Sequence, residues 1–188
     1  MIRLWCATGN PGKLREFQEH SPISIEALPD FRMIPPCVED GGTFEENAVI
    51  KARHYARYAS GLLFADDSGL EVDALGGAPG VHSARFSGKH STDQTNNRLL
   101  LEKLRGVANR TARFVCVIAL VEGQRQRGVF RGAVAGVILD EPRGSAGFGY
   151  DPLFYSPALG LTFGEASAEQ KFALSHRGQA LRAMLAAL

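Results

Sequence analysis

Positions 2 to 7 are apolar except for Arg3, and the run then breaks at Thr8-Gly9-Asn10-Pro11-Gly12. A continuous apolar stretch ending in glycine and proline predicts a buried strand that runs into a tight turn, with a helix from about Lys13. Further on, Thr43 precedes Glu46 by three residues, and Phe44, Ala48, Ala52 and Ala56 recur every fourth position. That spacing predicts a helix over 44–59 that opens with a capping box and stops before Gly61. Leu62-Leu63-Phe64-Ala65 then predicts a second buried strand whose tip carries Asp66-Asp67-Ser68-Gly69.

In the second half, residues 76–90 carry Gly76-Gly77, Pro79-Gly80 and Gly88 and predict a loop. Ser91 with Gln94 offers another capping box ahead of a helix bearing Leu100, Leu101 and Leu104. Arg113 to Val121 and Gly128 to Leu139 are long apolar or β-branched stretches around a polar turn at Gly123, the pattern of a long hairpin. A short Leu153-Phe154-Tyr155 segment follows, and Leu181, Met184, Leu185 and Leu188 give a last helix one apolar face. With no internal repeat or linker, the pattern predicts one α/β domain over residues 1–188, its long mixed β-sheet flanked by helices.

Composition narrows the classes of function. An apolar share of 45% and a charged share of 22% are those of a folded globular chain rather than a disordered one. The formal charge of +1 provides no field to hold a polyanion, so a nucleic-acid partner is not expected and any phosphate contact has to be local. Cys6, Cys37 and Cys116 form no C-x-x-C pair, and two of them sit in apolar runs, which reads as buried thiols in a reducing compartment. No apolar h-region follows Arg3 and no run approaches the roughly 20 apolar residues of a membrane span, so a cytoplasmic location without membrane contact is expected.

Three clusters carry candidate chemistry. Thr8 to Lys13 joins a strand, a glycine turn and a helix start, which places backbone N–H groups beside a lysine and suits a phosphate, or equally a plain tight turn with a solvated lysine. The segment is neither a P-loop nor a G-x-G-x-x-G turn. Glu39-Asp40, Glu46 and Asp66-Asp67-Ser68 gather acids that could share a hard cation such as Mg²⁺ with bound phosphate, although Glu46 fits the capping box. Phe148-Gly149-Tyr150-Asp151 with Lys171 and Ser175-His176-Arg177 combines a ring that can stack on a base with groups that can read its edge. His176-Arg177 at a helix start is, taken by itself, more often surface than site, and Asn47 and Lys51 share a helix face that points to a cleft or to water.

Read in order, Ala7 to Lys13, Thr43 to Ala48, Ala65 to Leu70, Gly76 to Gly80, Ser83-Ala84-Arg85, Phe148 to Pro152 and Ser175 to Gln179 resemble the inosine triphosphate pyrophosphatase family, in its bacterial Ham1-like, dITP/XTP-hydrolysing branch. The resemblance runs from the first strand to the last helix. It implies two lobes with a nucleotide cleft between them, a homodimer, and Mg²⁺-dependent hydrolysis of ITP, dITP and XTP to the monophosphate and pyrophosphate. Carried over by position, Thr8, Gly9, Asn10, Pro11, Gly12, Lys13 and Lys171 match phosphate-contacting segments, and Ser68 matches a substrate contact. Phe148, Gly149, Tyr150, Asp151, His176 and Arg177 match base recognition. Asp67 matches the proton acceptor, with Lys13 neutralising charge beside it, and Glu39, Asp66 and Asp67 match the acidic surroundings of the metal. Glu39-Asp40 offers two choices for the first of these. The stretch from Glu165 to Phe172 departs from the commoner pattern.

A carboxylate near its usual pKa of about 4 is a weak base at neutral pH, so Asp67 needs help from a metal-acidified water or from Asp66 raising its pKa. Selectivity would act at the purine 6-carbonyl, with Arg177 as donor and His176 as a second. Two alternatives stand beside this reading. One is a Maf-like pyrophosphatase for modified pyrimidine triphosphates, and the other is a purine nucleotide sensor without catalysis.

Overall fold

The computed structural model describes residues 3–188, so Ile2 of the predicted first strand lies outside the described residues. The chain divides into two compact units. The first comprises residues 1–67, 116–132 and 176–188, and the second residues 68–115 and 133–175.

The first unit begins with β1 (Arg3–Cys6), α1 (Pro11–Glu19) and β2 (Ser24–Ala27). Leu4 and Cys6 are buried while Arg3 is exposed, as an apolar run flanked by parallel neighbours requires. Pro11 starts α1 two residues before the predicted Lys13, because proline suits the first helical position and Asn10 caps it, its Oδ1 accepting the Lys13 amide at 3.1 Å. Phe17 on the buried face of α1 meets Phe64 edge-on, with ring centroids 5.0 Å apart. The next helix, α2 (Phe44–Tyr55), opens with the predicted Thr43–Glu46 capping box and buries Phe44, Ala48 and Ala52. It ends four residues earlier than the predicted Ala59, in a 3-10 turn over 56–58 that still buries Ala56.

The strand β3 (Leu62–Val72) corrects an expectation: Asp66 and Asp67 lie inside an 11-residue strand, not at the tip of a short one. Leu70 and Val72, both fully buried, carry the period-two alternation past the acids. The idea behind the expectation survives in another form. β1 pairs with β3 only as far as Cys6 opposite Phe64, so the acids lie just beyond the carboxyl end of the β1/β3 parallel pair.

The second unit holds α3 (Asp93–Lys103), β6 (Phe154–Ser156), β7 (Leu161–Thr162) and α4 (Ala168–Leu174). The capping box of α3 is Thr92 with Thr95, one residue beyond the predicted Ser91 and Gln94. Residues 80–85 of the predicted loop wind into a 3-10 turn, as do residues 73–75 just before it. The core of this unit is aromatic: Phe154 contacts Phe114 at 4.5 Å and Phe163 at 5.0 Å between ring centroids. Such pairs add about 1 kcal/mol each beyond the area they bury.

Between α3 and β6 run β4 (Thr111–Glu122) and β5 (Arg125–Ile138), joined by Gly123-Gln124, Gly123 lying at φ 56° as a tight turn requires. Among the described residues the strands form one seven-stranded sheet in the order β2-β1-β3-β4-β5-β6-β7. It is mixed as predicted, β1 pairing in parallel with β2 and β3, and β6 antiparallel with β5 and β7.

The last helix, α5 (His176–Leu185), buries Leu181 and Met184 as predicted, whereas Leu188 falls beyond its end and is exposed. Gly132 of β5 sits against its first turn; a Cβ there would overlap the His176 carbonyl and the Ala180 amide. Glycine therefore lets backbone approach backbone and fixes where His176 and Arg177 begin.

Candidate active site

Consecutive side chains on a strand point to opposite faces, so Asp66 and Asp67 reach different partners. Asp66 accepts from Lys13 Nζ at 2.7 Å. Asp67 accepts from Lys51 Nζ at 3.0 Å through Oδ1 and from Asn47 Nδ2 at 3.3 Å through Oδ2. The same Lys51 ammonium lies 3.0 Å from Glu39 Oε2. Of the Glu39-Asp40 pair, Glu39 faces Lys51 and Asp40 is exposed. Asn47 and Lys51, the helix face that pointed to a cleft or to water, point at Asp67.

The two adjacent carboxyls are driven apart. Burial alone would raise Asp66, but Lys13, Arg177 and Lys51 outweigh it and hold its carboxyl at about 2. For Asp67 burial wins: it pushes the carboxyl above its ordinary value against the opposing pull of Lys51 and Lys13. The upward influence of Asp66, on which the sequence argument leaned, is the smallest of the causes acting on Asp67. Lys51 is itself raised, because the surrounding acids together overcome the cost of its burial.

Arg177 and His176 are 2% and 3% exposed, which excludes the surface alternative for this pair. The Arg177 guanidinium is ion-paired with Glu16 of α1, a partner 161 positions away that no local signal announces. In the turn between β1 and α1, the Asn10 amide donates to Thr8 Oγ1 and the Lys13 amide to Asn10 Oδ1. Pro11 has no amide proton, so the donors the turn offers an anion are Gly9, Gly12 and the Lys13 ammonium. Cys6 and Cys116 are buried free thiols, and burial pushes both above their ordinary range, so neither supplies a thiolate at neutral pH.

A hard cation fits the donor set of this unit. Three carboxylates, Glu39, Asp66 and Asp67, face two ammonium groups, Lys13 and Lys51, which leaves the cluster one positive charge short. Glu39 and Asp67 already share one cation, the Lys51 ammonium, whereas Asp66 serves Lys13. Among the described residues no three acidic, histidine or cysteine side chains are gathered to bind a metal by themselves. A protein contribution of two carboxylates, completed by water and phosphate oxygens, is the coordination Mg²⁺ favours.

The second unit carries its own cluster. Lys171 of α4 donates to Asp151 Oδ2 at 2.6 Å, with both side chains almost wholly buried. The same carboxylate oxygen accepts the Phe148 amide at 3.0 Å, and the Lys171 ammonium lies 4.9 Å from the centre of the Phe148 ring. Tyr150 is buried and donates its hydroxyl to the Ser83 carbonyl at 2.8 Å. Gly149 stands between them at φ 63°, and Ser68 is half-buried on β3 next to Asp67. The unusual Glu165–Phe172 stretch proves to contain α4, opened by a Ser167–Gln170 capping box that places Lys171 in its last turn.

Comparison with known proteins finds similarity over almost the whole chain. The sequence pattern described as the Ham1 family matches residues 4–187. A protein of an Exiguobacterium species named dITP/XTP pyrophosphatase is 50% identical over 184 residues, covering 96% of this chain and 94% of its own. One of the same name from Thermus thermophilus is 51% identical over 192 residues, covering 99% and 91%. Among solved structures, the Ham1 protein of Staphylococcus aureus superposes with a TM-score of 0.87 at 40% identity, over 98% of this chain and 97% of its own. A HAM1 protein from Coxiella burnetii gives the same TM-score at 42% identity, over 98% and 96%.

Proposed function

The chain belongs to the Ham1 family, and from that premise we propose that it hydrolyses the deaminated purine nucleoside triphosphates ITP, dITP and XTP to the monophosphate and pyrophosphate, with Mg²⁺ as cofactor. The observation that carries the reading is the split of partners between neighbouring carboxyls, Asp66 paired with Lys13 and Asp67 held by Lys51 and Asn47. A nucleotide sensor has no need of such a split.

Cleavage between the α and β phosphates requires an in-line water, a proton acceptor for it, and neutralisation of the departing pyrophosphate. Asp67 accepts the water proton; each of its carboxylate oxygens takes one hydrogen bond from Lys51 or Asn47 and keeps a further lone pair for the purpose. Asn47 and Lys51 fix the orientation of that carboxylate. Glu39 and Asp67 would hold Mg²⁺, which would supply charge neutralisation at the phosphate oxygens. Lys13, aimed by Asp66, meets the phosphates together with the Gly9 and Gly12 amides.

On the family pattern Lys171 also meets phosphate, Ser68 contacts substrate, and Phe148 to Asp151 with His176 and Arg177 meet the base. Glu16 holds the Arg177 guanidinium in one orientation, as a donor to the 6-carbonyl of hypoxanthine or xanthine requires. Adenine would turn an amine towards that donor, a mismatch of kilocalories. The resemblance supports a homodimer, and the free buried thiols support a cytoplasmic location.

The test is pyrophosphate release over all common and deaminated triphosphates, with Mg²⁺ and after chelation. Release from ITP, dITP and XTP that chelation abolishes and added Mg²⁺ restores is the expected result. Turnover confined to modified pyrimidine nucleotides would point to the Maf-like alternative, and tight binding of ITP without release to a sensor.

A further inference from the structure

We propose that Asp93 and Asn97 of α3 are positioning residues for Phe148 to Asp151, clamping both backbone polar groups of Gly149 and thereby setting the pose of the Phe148 ring. The inference deepens the proposed function and rests on its reading of that segment as base-recognising. Asp93 and Asn97 are one helical turn apart and share a face of α3. Asp93 Oδ2 accepts the Gly149 amide at 2.6 Å, and Asn97 Nδ2 donates to the Gly149 carbonyl at 3.0 Å. Two side chains thus bond Gly149 as a neighbouring strand would, and the first of these bonds is charge-assisted.

Apolar packing joins Tyr150 and Leu153 to Leu100 and Leu104 of α3 but does not reach Gly149. A cavity of about 550 Å³ opens between α3 and residues 142–149, with Leu101, Pro142, Phe148 and Leu153 in its wall. Beside that gap Gly149 offers the helix no dispersion contact, nothing lying within 4 Å of where its Cβ would be. Gly149 has no side chain of its own to anchor, and at φ 63° it adopts a conformation that other residues rarely hold. Asn97 leaves its Oδ1 buried without a hydrogen-bond partner, so its amide is committed to the Gly149 carbonyl.

Both neighbours are fixed from elsewhere, Phe148 through its amide on Asp151 and Tyr150 through its hydroxyl on the Ser83 carbonyl. Gly149 is therefore the joint between two anchored residues. The clamp on it decides the angle at which Phe148 is presented.

The test combines steady-state pyrophosphate release from dITP with the amide resonance of Gly149 in the ¹⁵N–¹H spectrum of the free protein. Asp93→Ala and Asn97→Ala should each raise KM about tenfold while kcat stays within about threefold. The double variant should add less than the two single effects together, because both bonds hold one residue. Asp93→Asn, whose amide oxygen still accepts, should recover most of the lost KM and restore the Gly149 amide shift that Asp93→Ala moves upfield. Unchanged KM in the alanine variants, kcat falling in step with KM and with Tm, or no rescue by asparagine would overturn the proposal. Should the wild type release no pyrophosphate from any deaminated triphosphate, the proposed function fails, and an unmoved Gly149 resonance in Asp93→Ala would then overturn the clamp by itself.

Discussion

Each unit of the molecule buries an acid–lysine pair, and the two pairs behave differently. In the second unit Asp151 and Lys171 pair at 2.6 Å beside an aromatic ring. In the first, Asp66 and Asp67 are adjacent in sequence but on opposite faces of β3, and three carboxylates share two lysines. The Asp151–Lys171 arrangement holds a geometry around Phe148, whereas the other leaves the acids in excess of the lysines they face. Alternation along one strand is enough to give neighbouring aspartates separate tasks.

Substitution can separate these roles. Asp67→Asn should lower turnover about a thousandfold while leaving substrate affinity within a few-fold, whereas Asp151→Asn should weaken binding far more than the rate of bound substrate. Stopped-flow binding alongside pyrophosphate release distinguishes the two. Next in size is stability. Lys171→Met strands a buried carboxylate and should cost about 3–5 kcal/mol in urea unfolding, with Asp151→Asn in the same chain recovering much of it. Lys51→Met should cost less, since Glu39 keeps 30% of its side chain in water.

A smaller effect concerns pH. Lys51 lowers the Asp67 pKa, so Lys51→Met should move the acid limb of the rate profile to higher pH. Asp66 has a folded pKa of about 2 against an ordinary 3.8, so its stabilisation is complete well above 3.8 and is lost progressively as the pH falls from there through about 2. Activity should therefore fail on acidification before the Asp66–Lys13 pair lets go, as activity and circular dichroism followed together would reveal. Smallest is Thr43→Ala, which removes the cap of α2 and should cost about 1 kcal/mol without altering kcat.

Much of this was readable from local pattern. The strand–turn–helix at Thr8 to Lys13, the capping box at Thr43 and the fourfold spacing of Ala48 and Ala52 announce their elements because each rests on neighbours a few residues apart. Where the chain departs from expectation, distant partners are responsible. Asp66 and Asp67 interrupt an apolar run, so β3 reads as ending there; it continues because Lys13 and Lys51 neutralise the acids it buries. Arg177 looks like surface until Glu16, 161 positions away, pairs with it. The start of α3 slipped by one because Ser91 and Thr92 are both good caps, and the structure uses Thr92 with Thr95.

The central claim, that burial makes Asp67 the proton acceptor while Asp66 stays a fixed anion, is tested most directly by the pH dependence of single-turnover pyrophosphate release from dITP. The wild type should lose rate through one protonation on acidification, and the residual rate of Asp67→Asn should lack that step. The same acid limb persisting in Asp67→Asn would contradict the account.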